Sequence, residues 1–528
     1  MKSVLVCLEA PVDAARRLLT PYRAVLCGLV VLAVAAFVVS AVDAEFGYRP
    51  ADLAVWLVVA VVAGFVSSYA IAAVLRVPPN SDSWLITALI LFFVLPGGSE
   101  DTAVATVATG AVIASASKYL IAWRRRLIVN PAVAGAVGCY ALAYAGVGQV
   151  DFPFWWVAAE PMLIPMIVVG ALVVTLIRDW QLVTVFVVAS LVTIGVVELV
   201  RGGQDLRTWI VSSPMLFVAA IMLPEPLTSP ATRLHRLIYA ALVGALMHCQ
   251  YTVEVTDSYT LAFVPEVALL VGCLYAFVVR LATRTARRVR LDVTAEPLAE
   301  NTYALQGEPA GGAPAFRAGQ WSSVSVPRWR APVWVGSRRV FSFVSAPKGT
   351  PVEFGLTVSG EPSAFKAALL DGRARRVWVD EIGGDFVLPR GFPSTGQVVL
   401  LASGIGITPF VSMVRSLAGA DLSRLTLVHV LRSPQRAVYE AELEQARSAG
   451  AQVVTVVGPE LADGIDDPGR LAELVGPHGA GDRGEEPVHY HVSGAPAFVE
   501  RTTATVRRFD AATRLRPWRI HTDSFAGY

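Results

Sequence analysis

A glycine-containing turn after an apolar run carries the clearest chemical signal in the sequence. The apolar residues Val398–Ala402 precede Ser403, and the turn Gly404-Ile405-Gly406-Ile407-Thr408-Pro409 follows directly. Glycines let the backbone approach a pyrophosphate closely, and the amino end of a following helix stabilises the phosphate charge. Thr408 suits the N-cap of that helix, and Pro409 suits its first turn. The turn therefore predicts a dinucleotide phosphate site, although a lone Gly-x-Gly is a weaker signal than the full GxGxxG motif.

Two kinds of sheet are predicted around this turn. Residues 394–528 alternate helical runs with apolar strands, including Leu425–Val430, Val453–Val457 and Val488–Ser493. This alternation predicts an α/β doubly wound nucleotide-binding domain with a parallel sheet. Residues 284–393 begin with a basic linker and continue as short alternating strands separated by Gly and Pro turns. That pattern predicts a small antiparallel β-barrel.

The N-terminal half is a series of long apolar runs. The 528-residue chain is 54% hydrophobic and only 16% charged, which is less charge than soluble proteins carry. A bilayer core needs roughly 20 apolar residues per helix. Residues 24–283 therefore predict a polytopic α-helical membrane domain of about ten helices, preceded by a cytoplasmic segment, 1–23. The predicted spans begin near Ala24, Leu53, Trp84, Thr102, Pro131, Met162, Leu182, Pro214, Leu237 and Ser258.

Arginine positions predict the orientation of these helices. If the N-terminus lies inside, only Arg49, Arg201 and Arg207 of this half fall in outside loops. Cytoplasmic loops concentrate Lys and Arg, so both termini are predicted to be cytoplasmic in a multi-pass plasma-membrane protein. Glu9 and Asp13 interrupt the first residues, which indicates a retained signal-anchor rather than a cleaved signal peptide.

Two predicted spans are unusually short. Trp84–Leu95 stops at Pro96-Gly97-Gly98, and Pro214–Leu223 stops at Pro224-Glu225-Pro226. They occupy equivalent positions in two halves of about five helices, and an odd number makes the halves inverted repeats. Such interrupted spans predict a binding site near the bilayer midplane, where irregular backbone lines a cavity or is buried in protein. The alternative is that both are short or re-entrant helices with structural loops.

Three motifs of this half occur in a recognisable order. They are Ser83–Pro96, then Lys118-Tyr119 with Asn130-Pro131-Ala132, then Met222–Pro230. Over about residues 24–283 the chain resembles the flavin-carrying membrane subunits of the sodium-pumping NADH:quinone reductase and of the Rnf complex. The resemblance implies a second flavin (FMN or riboflavin) or a quinone in the membrane domain. The Ser/Thr-Gly-Ala-Thr motif that often carries covalent FMN in that family is not found in this sequence.

Five short motifs accompany the glycine turn in the C-terminal half. They are Arg339-Val340-Phe341-Ser342, Gly360-Glu361-Pro362-Ser363, Gly383-Gly384-Asp385-Phe386, Ser493-Gly494-Ala495-Pro496 and Phe525-Ala526-Gly527-Tyr528. In this order they resemble the ferredoxin–NADP reductase superfamily over about residues 291–528. The resemblance implies that the barrel binds FAD, that the α/β domain binds NAD(P)H, and that hydride passes between them.

The resemblance also implies roles for residues of the barrel. Arg339 would neutralise a flavin phosphate, Phe341 would stack on the isoalloxazine ring, and Ser342 would hydrogen-bond the ring at N5. Gly360 and Ser363 would hold the flavin pyrophosphate at a helix start. The alternatives are a plain surface arginine at 339, barrel-core packing of the phenylalanine and an ordinary turn glycine.

In the nucleotide-binding domain, the glycine turn would hold the NAD(P) pyrophosphate, with Thr408 near the nicotinamide. Ser493 stands before Gly494 and Pro496 where the family commonly has Cys, a difference that would weaken or alter hydride transfer. Phe525 or Tyr528 would cover a flavin face until nicotinamide displaces it, the alternative being core packing. The predicted catalytic residues are Ser342, Thr408 and Ser493.

The choice of nicotinamide is predicted from the residues after the second nucleotide-binding strand. Arg432, Ser433 and Arg436 follow Leu431. An acid at this place would favour the ribose hydroxyl of NAD, whereas Arg and Ser suit a 2′-phosphate. The sequence therefore favours NADPH over NADH. The alternative is that both arginines are simply solvated.

Composition excludes several other classes. The five cysteines lie before residue 284 and lack the spacing of metal or cluster ligands, so neither a metal site nor a disulfide framework is predicted. The membrane half has only His235 and His248, too few for the paired haems of NADPH oxidases and ferric reductases. A net charge of +2 gives no support to nucleic-acid binding.

Together these features predict a membrane flavoprotein oxidoreductase. Electrons would pass from NAD(P)H through FAD to a membrane-associated acceptor, a quinone or a second flavin near the two short spans. Membrane lipid and a small-molecule or protein electron acceptor would be its partners. Two alternatives stay open: a redox-driven or redox-regulated transporter, and a membrane-anchored reductase of soluble acceptors.

Overall fold

The structure is a computed structural model of the whole chain. It describes residues 21–76, 83–95, 100–123, 126–177, 179–202, 209, 212–256, 259–283, 288–326, 338–358, 360–476 and 487–525. The chain divides into two compact units, an N-terminal unit Met1–Thr283 and a C-terminal unit Arg284–Tyr528.

The N-terminal unit is helical. Its main helices are α1 (Pro21–Val42), α2 (Pro50–Val74), α3 (Ser83–Val94), α4 (Glu100–Leu120), α5 (Pro131–Tyr144), α6 (Leu163–Ile177), α7 (Trp180–Arg201), α8 (Met215–Phe217, continued by a π-helical turn Val218–Met222), α9 (Arg233–His248) and α10 (Pro265–Ala282). Three short 3-10 helices, Ala44–Phe46, Trp156–Ala158 and Glu160–Met162, lie between them. A two-stranded ladder, β1 (Ala122–Trp123) with β2 (Arg126–Leu127), precedes α5.

Six helices of the described residues are long and apolar enough to cross a membrane. Ser83–Val94 and Pro131–Tyr144 are apolar but shorter, and the segment at 215–222 is shorter still. Residues 96–99, the predicted break after the third span, lie outside the described residues. Six apolar helices could therefore span a membrane, and the count of ten spans stays a prediction.

The tenth predicted span was placed too early. Thr252–Thr256 (β3) and Tyr259–Ala262 (β4) pair as an antiparallel hairpin, and α10 begins only at Pro265. The β-branched alternation Thr-Val-Glu-Val-Thr favours a strand at this place. Ser258, the predicted start, lies outside the described residues.

The two halves of this unit pack in the same pattern. The pairs α2–α4, α4–α5 and α1–α3 of the first half recur as α7–α9, α9–α10 and α6–α8 in the second. Equivalent helices also meet each other, since α1 contacts α6 and α5 contacts α10. This recurrence is typical of an internal repeat. The opposite insertion of the halves stays a prediction.

The C-terminal unit begins with an antiparallel sheet. Its strands are β5 (Val289–Ala299), β6 (Thr302–Pro309), β7 (Trp321–Ser325), β8 (Arg338–Ser342), β9 (Val352–Thr357) and β10 (Arg376–Gly383). The strand order is β8-β7-β10-β5-β6-β9, and one bridge, Phe343 to Phe354, joins the two outer strands. A helix, α11 (Ala364–Leu370), packs Phe365 into the core of this sheet.

A parallel sheet follows. Its strands are β11 (Gln397–Ser403), β12 (Leu425–Leu431), β13 (Gln452–Val457), β14 (Val488–Gly494) and β15 (Ile520–Ser524), and its helices are α12 (Thr408–Ser416), α13 (Glu440–Ser448), α14 (Pro468–Val475), α15 (Pro496–Phe509) and α16 (Ala512–Leu515). The order β13-β12-β11-β14-β15 is parallel throughout. Helices cover both faces, so the doubly wound sheet is confirmed. The order reverses between β11 and β14, where such sheets bind ligands.

Arg415 ties the two sheets together. Its guanidinium donates to Glu353 Oε2 of β9 at 2.8 Å and to Glu442 Oε1 of α13 at 2.6 Å. The Ser412 hydroxyl adds a 2.8 Å bond to the Ser345 carbonyl. Because α12 starts at the glycine turn, these contacts fix that turn relative to the antiparallel sheet.

Candidate functional site

The glycine turn lies where the parallel sheet reverses its order. Gly404 has φ +55°, a left-handed conformation that favours glycine, and open space where a side chain would lie. A Cβ on Gly406 would lie 2.5 Å from the Ser493 carbonyl oxygen and 2.7 Å from Gly494 Cα. The turn and the Ser493–Gly494 motif are therefore in direct backbone contact, which only a glycine at 406 permits.

His429 supports the turn from the neighbouring strand β12. Its Nε2 donates to the Gly404 carbonyl at 2.9 Å, and the ring is 1% exposed. Burial lowers the pKa of His429 to about 4, so the ring is neutral at physiological pH. No sequence pattern points to His429, because only the register of β12 against β11 places it beside the turn.

Thr408 does not cap the helix, contrary to the sequence-based expectation. The cap position is Ile407, and Thr408 is the first helical residue, followed by Pro409 in the first turn as predicted. The Thr408 hydroxyl donates to the Ile405 carbonyl at 3.1 Å. Its methyl group packs beneath Gly355 of β9, where a Cβ would lie 2.5 Å away. A preceding 3-10 turn, Gly404–Ile407, has already turned the chain, so no side-chain cap forms.

Ser342 meets a carboxylate at the end of the chain. Its hydroxyl donates to Asp523 Oδ2 at 3.1 Å, and β15 pairs Asp523 with Ser493 in register. Two of the predicted catalytic residues, Ser342 and Ser493, thus gather around one acid. Burial raises the pKa of Asp523 to about 6, which the Ser342 hydrogen bond partly opposes.

The Ser493 hydroxyl is fully buried. The residue is 0% exposed, and among the described residues its Oγ has no hydrogen-bond partner. An unsatisfied buried hydroxyl is costly and uncommon. Its position between Gly406 and Asp523 suits a polar ligand group that approaches across the turn.

Three histidines lie below Ser493 and Asp523 on the same strands. His491 and His521 are register partners and stack at 4.4 Å, and His489 stacks on His521 at 6.0 Å. His491 Nε2 donates to the Val387 carbonyl at 3.0 Å. Burial and the neighbouring His521 lower the pKa of His491 well below its usual range, so the ring of His491 is neutral at physiological pH.

A positively charged pair, Arg339 and Lys366, lies beside and at the start of α11. The Arg339 guanidinium lies 5.5 Å from the centre of the Phe365 ring. Burial and the neighbouring charge of Arg339 lower the pKa of Lys366. The Ser363 hydroxyl accepts the Lys366 amide at 3.4 Å as the helix cap, and Gly360, at φ +70°, has open space beside it. A phosphate would relieve the repulsion between these two cations, so the residues present fit a phosphate-bearing cofactor.

Phe341 packs in the core of the antiparallel sheet. It is 8% exposed and lies 6.1 Å from both Phe365 and Phe354. The structure therefore shows the Phe341 ring packed in the sheet core, which was the alternative to flavin stacking. Stacking of Phe341 on an isoalloxazine stays a prediction.

Comparisons with known proteins agree with this geometry. The model of the family described as Oxidoreductase NAD-binding domain matches residues 400–504. The chain is 31% identical to a flavohemoprotein of Deinococcus radiodurans over 159 residues, which cover 28% of this chain and 35% of the relative. It is 31% identical to a tetrachlorobenzoquinone reductase of Sphingobium chlorophenolicum over 194 residues, 36% of this chain and 54% of the relative. The C-terminal half is an NAD(P)H-dependent oxidoreductase domain.

The residues that match this family run from β11, the strand before the glycine turn, into α15, so the oxidoreductase assignment falls on the parallel sheet. Among solved structures, the chain is similar to the FAD/NAD-binding domain of nitric oxide dioxygenase from Vibrio cholerae, at 20% identity and TM-score 0.36, over 46% of this chain and 99% of that chain. The chain spans about a third and about half of the lengths of the two sequence relatives.

The other predicted residues of the parallel-sheet domain lie at the ends of its strands and helices, as far as the structure describes them. Arg432 forms an ion pair with Asp463, while Ser433 and Arg436 follow it at the carboxyl end of β12. Phe525 donates its amide to the Gly494 carbonyl at 2.9 Å. Tyr528 lies outside the described residues, and Pro496 opens α15.

Proposed function

We propose that this protein is a membrane-bound flavoprotein that passes electrons from NAD(P)H to an acceptor at its N-terminal unit. The observation that carries the proposal is the meeting of Gly406, Ser493, Asp523 and Ser342 where the parallel sheet reverses its order. The same chain holds six apolar helices that could span a membrane. Bound FAD would supply the chemistry of accepting hydride and releasing single electrons.

Each part of the oxidoreductase domain has a proposed task. Arg339 and Lys366 would hold the flavin phosphates, and Ser342 would orient the ring edge. Asp523 can hold or release a proton at Oδ2 near neutral pH, because its pKa lies at about 6. Ser342 Oγ, 3.1 Å away, would pass that proton onward. The buried Ser493 hydroxyl would bind the nicotinamide amide.

The nucleotide is proposed to be NADPH. The glycine turn would hold the pyrophosphate, and Arg432, Ser433 and Arg436 would take the 2′-phosphate. Arg432 is half-exposed in its ion pair with Asp463, so a phosphate can compete for it.

The acceptor is proposed to be a quinone, or a second flavin such as FMN or riboflavin, bound by the N-terminal unit. The Sphingobium relative is named a quinone reductase, which supports the first choice. Polar contacts at the break after α8 support a site there. Asn130 Nδ2 donates to Glu225 Oε2 at 2.6 Å, and the Thr228 hydroxyl donates to the same oxygen at 2.8 Å.

A redox-driven transporter is the second candidate, favoured by the recurring packing of the two halves. Ion flux into proteoliposomes on NADPH addition separates the two functions. Flux that tracks NADPH oxidation and persists when a protonophore collapses the proton gradient would support the transporter. Quinone reduction without any ion flux would exclude it.

The main test uses the purified full-length protein. Flavins per chain are counted, FAD is distinguished from FMN, and NADPH-dependent reduction of a soluble quinone is followed in lipid nanodiscs. We expect bound FAD, bleaching of the flavin by NADPH and re-oxidation by quinone. A colourless protein that leaves NADPH and NADH untouched would refute the proposal. Arg432→Ala with Arg436→Ala should raise the KM for NADPH and spare that for NADH, with Arg373→Ala as the control.

A further inference from the structure

A surface segment after α15 exposes two large apolar side chains. Leu515, at the end of α16, is 83% exposed, and Trp518, in the 3-10 turn Pro517–Arg519, is 61% exposed. Among the described residues of the C-terminal unit, these are the most exposed large hydrophobic side chains. They lie three residues apart in sequence, so they form a small apolar pair on the surface.

The same segment is strongly basic. Four exposed arginines lie in the same stretch of sequence as the apolar pair: Arg507, Arg508, Arg514 and Arg516. The acid within the segment, Asp510, is buried and accepts the Tyr490 hydroxyl at 3.2 Å, so it does not offset their charge at the surface.

The arginines of this segment bond to uncharged groups instead of carboxylates. Arg514 Nε donates to the Arg507 carbonyl at 2.9 Å, and Arg508 Nη2 donates to the Thr505 hydroxyl at 2.7 Å. In the described part of the chain, none of the four forms an ion pair with a carboxylate. Arg373 and Arg470, also exposed, do form such pairs, with Asp371 and Glu473. Arg508 Nη2 also donates to the Asp466 carbonyl, so the exposed positive charge that has no carboxylate beside it among the described residues is that of Arg507, Arg514 and Arg516.

Exposed Trp and Leu among arginines match an anionic lipid surface. Indole rings favour the headgroup level of a bilayer, and unpaired arginines attract anionic lipids there. Six residues, 283–288, separate α10 from β5. If the N-terminal unit lies in a bilayer, this six-residue connection keeps the C-terminal unit at a high effective concentration of lipid.

We infer that residues 507–518 form a docking surface through which the C-terminal unit binds anionic lipid headgroups. The inference rests on the proposed function in one respect, namely that the N-terminal unit lies in a membrane. Ile520, two residues after Trp518, begins β15, the strand that carries Asp523. Lipid would therefore bind next to the strand that carries Asp523.

The test uses the full chain in nanodiscs of phosphatidylcholine alone or mixed with phosphatidylglycerol. Hydrogen–deuterium exchange is measured on peptides that cover residues 505–520. We expect slower exchange of these amides in the anionic discs, reversed by high salt. Arg514→Glu with Arg516→Glu should abolish this slowing of exchange in the anionic discs. We expect the exchange rate to rise about fivefold for each arginine removed. Trp518→Ser with Leu515→Ser should weaken it.

Two further double variants serve as controls for the docking surface. Arg373→Glu with Arg470→Glu changes the same charge at paired arginines and should leave the protection intact. Arg514→Gln with Arg516→Gln should also reduce protection, and it covers the case in which the double Glu variant does not fold. Equal exchange in both lipids overturns the inference. So does equal protection in neutral lipid or detergent, which would indicate a protein contact or a second copy.

NADPH oxidation and disc incorporation are recorded on the same samples. A chain that enters the discs and oxidises NADPH without lipid-dependent protection refutes the docking surface and leaves the proposed function standing. A chain that does not enter the discs refutes both.

Discussion

Ser342 Oγ donates a 3.1 Å hydrogen bond to Asp523 Oδ2, and this bond joins β8 of the antiparallel sheet to the last strand of the parallel sheet. The two residues are 181 positions apart in sequence. A hydroxyl on one sheet and an acid on the other make a short path for a proton between the two sheets, where hydride transfer is proposed.

The rate of NADPH oxidation should fall as pH rises through about 6. Burial raises the pKa of Asp523 to about 6, so the carboxyl carries a proton below that pH and loses it above. Hydride transfer adds negative charge to the flavin, which an ionised Asp523 beside the ring would oppose, so the protonated form would be the active one. Stopped-flow flavin bleaching over a pH series checks this, and Asp523→Asn should give a slow, flat profile.

Asp523 should also make the thermal stability of the protein depend on pH. Its pKa in the fold lies above the ordinary value of 3.8, so its stabilising contribution is complete below that value and is lost as pH rises through about 6. Asp523→Asn should therefore raise Tm at about pH 8 relative to the unmodified chain, with no difference at about pH 3.5. Asp371→Asn, at an exposed acid, is the control. A Tm difference that does not change with pH would contradict the assignment.

Ser493→Ala should separate stability from activity. The buried hydroxyl has no partner among the described residues, so its removal should raise the free energy of unfolding by about 1 kcal/mol. If the hydroxyl binds the nicotinamide, kcat/KM for NADPH should fall roughly fivefold at the same time. Chemical denaturation and steady-state kinetics measure the two effects. A stabilised variant with unchanged kinetics would assign Ser493 to packing alone.

Gly406→Ala should abolish nucleotide binding, whereas Gly404→Ala should only weaken it. A Cβ at 406 would press on the Ser493 carbonyl at 2.5 Å, so β14 would have to move. A Cβ at 404 would meet open space, so the substitution costs only the strain of an alanine in the left-handed conformation, about 1–2 kcal/mol. Isothermal titration with NADP⁺ distinguishes them. Equal affinities for the two variants would refute the predicted role of the Gly406 contact.

Arg415→Met should destabilise the C-terminal unit by about 2 kcal/mol. The change removes both ion pairs and leaves Glu353, whose side chain is 9% exposed, without its cation. Arg447→Met removes an exposed ion pair with Glu444 and should cost less than about 1 kcal/mol. Thermal unfolding of both variants provides the comparison. Similar losses would show that Arg415 does not hold the two sheets together.

The types and order of the secondary-structure elements could be predicted from the sequence, because they depend on residues that are close together in the chain. Apolar run length separates the helical N-terminal unit from the strands after it, and alternation of strands with helices predicts the parallel sheet. The glycine turn is local as well, since Gly404 and Pro409 have conformations that their own types favour. Local patterns failed at the start of the last span, predicted near Ser258, because Tyr259–Ala262 belongs to a hairpin and the helix begins at Pro265.

Tertiary structure alone decided which distant residues meet. Nothing near Asp523 in the sequence indicates that it faces Ser342, and nothing near His429 indicates that it supports Gly404. Both contacts follow from strand order and register, which depend on how whole strands share a hydrophobic core. Phe341 shows the same limit, because its residue type suits both a flavin face and a sheet core, and only packing places it against Phe365.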